Sequence, residues 1–118
     1  QRLARKLCTH CKRPFEGLPQ EILDDEGFDA IGIARADFKI FRAVGCKQCT
    51  KGYSGRIGIY EVLVITPKIS TIILNGGSSI DILGCAIDEG FRPMRISALR
   101  KVANGIISMK EANRITTD

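Results

Sequence analysis

Cys8-Thr9-His10-Cys11 and Cys46-Lys47-Gln48-Cys49 are two C-x-x-C pairs. In each, two thiolates can approach one metal from a single tight turn, and two such turns supply the four sulfurs of a tetrahedral Zn²⁺ site. Residues 12–45 separate the pairs, a longer gap than the roughly 15 to 20 residues of compact zinc ribbons, so the gap holds an insert. A metal there would staple two segments far apart in sequence. All four positions are filled by cysteine, which points to one structural Zn²⁺ per chain, since a catalytic zinc keeps an open position. Redox chemistry and disulfides are the rivals. A thioredoxin-like pair follows a strand and opens a long helix. Cys8 instead follows what reads as a short helix, and Cys46 sits in a Gly-Cys-Lys turn. Structural disulfides belong to a secretory context, and no charged-then-apolar leader is seen.

Around the pairs, His10 reads as a solvent-facing imidazole, because four thiolates already complete a site. Lys12, Lys47 and Lys51 can offset the double negative charge of a four-thiolate zinc, or stand as solvated surface. The fifth cysteine, Cys85, reads as a small buried residue inside a helix.

The charge is blocky. Eighteen Lys and Arg against 13 Asp and Glu give +5 over 118 residues. Arg2, Arg5, Lys6, Lys12 and Arg13 precede any acid, then Glu16, Glu21, Asp24, Asp25, Glu26, Asp29 and Asp37 form the insert. Lys39, Arg42, Lys47, Lys51 and Arg56 follow. An acidic insert between basic blocks can fold back on them; the alternative is a nucleic-acid surface. The chain has no Trp, and only Phe38 and Phe41 flank Lys39, which is thin for base stacking. No apolar run approaches the length of a membrane span.

The expected organisation is α+β: a zinc-stapled, β-containing module over residues 1–66, then a short helical subdomain over 67–118. Arg2–Leu7 is predicted to be a leading helix from Leu3 and Leu7 at i, i+4. Pro19 opens a short helix that Gly27 ends. Residues 37–44 alternate as a strand, Tyr53-Ser54-Gly55 is a turn, and residues 56–65 form the main strand. Thr66-Pro67 starts a helix with Ile69, Ile72 and Ile73 on one face, and Ser78 with Asp81 starts the next with Ile80, Leu83 and Ile87. Ser97 caps a third, and Ser108 with Glu111 forms the capping box of a last one.

No catalytic set is legible. The only histidine is His10, so no Ser/His/Asp or Cys/His nucleophile exists. Gly52, Gly55 and Gly58 lack the strand–glycine–helix order and the Lys-Ser or Lys-Thr of a phosphate loop. Asp24, Asp25 and Glu26 read as a solvated helix end.

The opening run Gln1 to Cys11 resembles the segment that follows the catalytic core in type IV pilus assembly and type II secretion ATPases. Gly45-Cys46-x-x-Cys49-x-x-Gly52-Tyr53-x-Gly55-Arg56-x-Gly58-Ile59-Tyr60-Glu61-Val62 is similar to the tetracysteine signature of that family. The tail from Leu99 through Gly105, Ser108, Glu111 and Arg114 to Thr116 resembles its C-terminus, with a lean toward the pilus assembly branch. Met94-Arg95-Ile96-Ser97-Ala98-Leu99 departs from the Met-Arg-x-Asp-Gly-Leu common in that tail, and Ile107 stands where Thr is commoner.

The resemblance implies a non-catalytic C-terminal fragment of a cytoplasmic, hexameric ATPase that is peripheral to the bacterial inner membrane and docked on an inner-membrane platform protein. The Walker motifs and the ATP and Mg²⁺ sites would lie upstream of Gln1. The resemblance carries the family's zinc ligands onto Cys8, Cys11, Cys46 and Cys49. The fragment would give stability and contacts to neighbouring subunits or the platform. Arg2 and Arg5 are candidates for contacts between subunits or for relaying the nucleotide state.

Overall fold

The computed structural model describes residues 1–117. It is α+β, and the described chain divides into two compact units, one of residues 1–60 with 94–117 and one of residues 61–93.

In the first unit, β1 (Arg2–Leu7) pairs antiparallel with β4 (Tyr53–Ile59). Arg2 faces Ile59, Arg5 faces Arg56 and Leu7 faces Tyr53. The helix expected over Arg2–Leu7 is therefore a strand. The register shifts between Arg5 and Leu7, as at a β-bulge, which lets Ala4 and Leu7 both turn inward three residues apart. That spacing imitates a helix. Leu3, which suggested the helical face, is 51% exposed.

The strand expected over 37–44 shrinks to β3 (Phe41–Arg42), paired with β2 (Arg13–Pro14), because Arg35–Asp37 closes as a 3-10 turn. The main strand begins earlier and stops earlier than expected. Tyr53 to Gly55 lie within β4, not in a turn, and beyond Ile59 the ladder has no partner among the described residues.

The acidic insert folds back by apolar packing more than by charge. Its helix α1 (Gln20–Glu26) ends at Gly27, as expected, and Leu23, Phe28 and Ile31 are buried. They join Ala4, Ile59 and the inner faces of α4 (Met94–Ala103) and α5 (Met109–Thr116), chiefly Leu99, Val102, Ala112 and Ile115. Among the insert's acids, Glu26 meets Arg95 of α4 at 2.6 Å. α4 starts at Met94, so Ser97 lies inside it and is not its cap. Pro93, which a helix tolerates only at or before its first turn, marks the boundary.

Between α4 and α5, Gly105 has φ +75°, and a Cβ there would stand 2.9 Å from the Phe41 ring and 3.0 Å from the Lys39 carbonyl. Only glycine lets this turn approach β3 so closely. Lys39 seals the approach by donating its backbone N–H to Ala103 at 2.7 Å.

The second unit holds α2 (Pro67–Leu74) and α3 (Ser79–Asp88). Both caps are as expected: the Thr66 hydroxyl accepts the Ile69 N–H at 3.3 Å, and Ser78 with Asp81 forms a full capping box. Ile69 and Ala86 are buried. The rest of the expected apolar face of α3 is not, with Ile80 at 79% exposed and Leu83 and Ile87 exposed as well. Two short helices do not carry enough mass to cover it. Cys85 is half-exposed, contrary to the expected buried thiol, and donates to the Glu89 carboxylate at 3.3 Å. Among the described residues no helix is long and apolar enough to cross a membrane.

Candidate metal centre

Cys8 and Cys11 stand in the turn that leaves β1, and Cys46 and Cys49 in the turn that leads into β4. Pairing of the two strands therefore brings both turns to one end of the sheet. Cys8 donates its N–H to the Gly52 carbonyl at 2.9 Å, and Lys12 closes the first turn by donating to the Cys8 carbonyl at 3.1 Å. In the second turn Cys49 donates to the Cys46 carbonyl at 3.5 Å.

The four sulfurs all lie within 4.8 Å of one another. Cys8 to Cys46 is 3.8 Å, Cys11 to Cys49 is 3.7 Å and Cys46 to Cys49 is 3.6 Å. A tetrahedron of sulfurs at about 2.3 Å from a central Zn²⁺ has an edge of about 3.8 Å. No disulfide joins them. Two sulfurs accept backbone N–H groups, Cys11 from Gly45 and Cys49 from Cys46, each at 3.3 Å. Such bonds favour thiolate over thiol. The donor set, its spacing and these amides all fit a four-coordinate metal.

Crowding separates the thiols' acidities. Burial works against the Cys49 thiolate, but hydrogen bonds from the Cys46 backbone and thiol and from the Gly52 backbone outweigh it and lower the pKa to about 7. For Cys46, the Gln48 backbone bond lowers the pKa, yet burial and hydrogen bonding with Cys49, Cys11 and Cys8 push it up to about 12.

Gly52 is what allows the second turn to close. It has φ +96°, and a Cβ would stand 2.7 Å from the Ala43 Cβ and 2.9 Å from the Val44 nitrogen. His10 is exposed, as expected, and is not among the clustered ligands. Lys12 places its ammonium on the Gly105 carbonyl at 2.9 Å and over the Phe41 ring at 4.5 Å.

Arg2 and Arg5 both reach α5. Arg2 donates to the Ile115 carbonyl. Arg5 uses its backbone N–H at 2.6 Å and its guanidinium at 2.9 Å to hold Glu111 Oε2, and the guanidinium also lies 4.3 Å from the Tyr53 ring centre. Arg114 holds the same carboxylate at 2.6 Å. Glu111 is fully buried. Burial alone would raise its pKa, but the bonds from Arg114 and Arg5 outweigh it and hold it at about 2. Sequence reasoning placed Glu111 only in a capping box. Half of that box exists, since the Ser108 hydroxyl accepts the Glu111 N–H at 3.1 Å. Ser108 also bonds the buried Tyr53 hydroxyl at 2.8 Å, tying β4 to α5 beside the cysteine turns.

Fold and site together define a small α+β module with a tetracysteine group fit to hold one metal ion. The chain belongs to the family described as Type II/IV secretion system protein, whose model matches residues 1–114. It is 47% identical over 118 residues to the type IV pilus assembly ATPase PilB of Acinetobacter baylyi, and 50% identical over 120 residues to that of Pseudomonas aeruginosa. It is 35% identical over 119 residues to the type II secretion system protein HxcR of Pseudomonas aeruginosa. Each match covers 100% of this chain, and 20%, 20% and 21% of those proteins respectively. The chain thus spans about a fifth of the length of these relatives.

Proposed function

We propose that this chain is the C-terminal zinc-binding part of a type IV pilus assembly ATPase, and that it acts there as a structural and docking module. The observation that carries this is the cluster of four sulfurs at tetrahedral spacing, in a chain that matches pilus assembly ATPases along its whole length. Cys8, Cys11, Cys46 and Cys49 would be the ligands of one Zn²⁺. When bound, zinc supplies a rigid link between the two turns; the protein's own part is to hold four thiolates and two backbone amides in place. ATP and Mg²⁺ would bind in the remainder of the longer protein. That protein would work as a hexamer in the cytoplasm, against an inner-membrane platform protein.

Two features favour this over the alternatives. A dithiol redox centre uses one separate pair of sulfurs, whereas contacts of 3.6 to 3.8 Å run both within the second C-x-x-C and across the two pairs, so that the four sulfurs form one cluster. A nucleic-acid surface needs free cations, and Arg2, Arg5 and Lys12 are engaged within the chain.

The test is the double substitution Cys46→Ser, Cys49→Ser in the full ATPase. The expected result is loss of zinc together with loss of pilus assembly and a fall in ATP turnover by the assembled enzyme. Zinc loss with assembly and turnover both unchanged would overturn the proposal.

A further inference from the structure

A groove of about 330 Å³ opens between β3 and the start of α5, next to the second cysteine turn. Phe15, Phe41 and Met109 supply the apolar part of its lining, and Arg42, Lys51 and Lys110 the charged part. No acidic residue lines it. All three cations are exposed, and no described residue, the cysteine sulfurs included, gives any of their side chains a hydrogen bond or an ion pair.

Each cation stands where the fold does not favour one. Arg42 lies directly opposite Arg13 across the β2–β3 pair, and like charges so placed repel. Lys51 has φ +54°, a left-handed backbone that residues with a side chain seldom adopt. Lys110 is the second residue of α5, at the end of the helix dipole that disfavours a cation. Positive charge gathered in one place against local preference is a mark of a functional surface.

We propose that this groove docks an acidic peptide segment of a partner protein. One apolar or aromatic residue of the segment sits against Phe41 and Met109, and its carboxylates face Arg42, Lys51 and Lys110. The inference rests on the reading above that the chain is a docking module, and it names the chemistry of what is docked. Charge complementarity argues for that occupant, since carboxylates relieve the repulsion between Arg13 and Arg42 and offset Lys110. An apolar centre with a charged rim is also the ordinary anatomy of a protein–protein contact. The chain's own acidic insert does not fill the groove: Glu26 is held by Arg95, and none of the insert's carboxylates lines it. Nucleic acid is a poorer occupant, because bases stack on open aromatic faces. Tyr53 is buried, and the Phe41 ring is covered by the Lys12 ammonium at 4.5 Å and packed against Gly105. Of the lining rings only Phe15 is exposed.

The test is fluorescence anisotropy of a labelled synthetic peptide, Asp-Glu-Asp-Phe-Glu-Asp-Leu-Glu, titrated with the full ATPase at an ionic strength of about 0.1 M. The expected result is saturable binding that weakens at least about tenfold in Arg42→Glu with Lys110→Glu, and by a smaller factor in Arg42→Gln with Lys110→Gln, which removes the charge without reversing it. Replacing the peptide's Phe and Leu by Ser should weaken binding as well. Absence of saturable binding, or equal binding by wild type and both variants, would overturn the proposal. So would a single-stranded oligonucleotide that binds wild type more tightly than the peptide and loses affinity in the same variants, which would name nucleic acid as the occupant. As a second readout in cells, Arg42→Glu with Lys110→Glu is expected to abolish pilus assembly while zinc content stays intact; assembly at the wild-type level would contradict the docking. Zinc content and ATP turnover, measured on the wild-type sample, report separately on the ATPase reading.

Discussion

Glu111 Oε2 accepts the backbone N–H of Arg5 at 2.6 Å, a position that another strand's carbonyl would take in a wider sheet. The same carboxylate binds the guanidinium groups of Arg5 and Arg114. One buried charge therefore joins the last helix to the first strand, only a few residues from Cys8.

Removing that charge strands a backbone donor and two arginines. Glu111→Ala is expected to cost about 3 kcal/mol: the Arg5 N–H loses its acceptor, while the half-exposed Arg5 and Arg114 guanidinium groups regain water. Set against a typical total of roughly 5–15 kcal/mol, this is a substantial share of the stability of a small domain. Urea unfolding with zinc in excess checks it; a loss under about 1 kcal/mol would show that the network contributes little.

The pH dependence follows with a definite sign. The folded pKa of Glu111 is about 2, below the 4.5 of an ordinary glutamate side chain. A depressed carboxyl contributes stability that is present above the unfolded pKa and is lost as pH falls through the folded one. The contribution should be complete above about pH 5 and should disappear between there and pH 2, amounting to roughly 3 kcal/mol. Acid also protonates thiolates, so the informative quantity is the difference between wild type and Glu111→Gln. Tm curves that converge from pH 5 to pH 2 support the assignment, and parallel curves refute it.

Gly52→Ala tests the closure of the second cysteine turn. The substitution meets a left-handed φ and a Cβ contact at 2.7 Å. Strain and overpacking together are expected to cost about 2–4 kcal/mol. The variant should surrender its metal to a chelator at least tenfold faster than wild type, and Gly76→Ala, whose site is open, should not. Equal release rates would show that the turn tolerates the shift.

Tyr53→Phe removes the hydroxyl that bonds Ser108 at 2.8 Å in the interior. A buried hydroxyl left without one partner costs about 1–2 kcal/mol. Thermal unfolding of the variant measures this, and an unchanged Tm would mean that the Glu111 N–H satisfies Ser108 by itself.

The cysteine turns and most helix caps could be read from sequence because each depends on residues a few positions apart. C-x-x-C, Thr66-Pro67, Ser78 with Asp81 and Gly27 are of this kind, and the structure realises each. What was hidden depends on distant partners. Arg2–Leu7 looked helical because an irregularity opposite β4 sets Ala4 and Leu7 on one side, which no local pattern reveals. Glu111 looked like a cap because its partner Arg5 lies 106 residues away. The exposed side of α3 looked like core, because periodicity marks an apolar face without saying what covers it.

The most direct test of the central claim is metal content and thiol accounting on protein purified without added metal. The account predicts one zinc per chain, four thiols released together on chelation, and Cys85 reactive separately. Substituting any one of Cys8, Cys11, Cys46 or Cys49 by Ser should abolish stoichiometric zinc, while Cys85→Ser should leave it intact. Metal-free protein with all five thiols independently reactive, or with disulfides across the pairs, would contradict it.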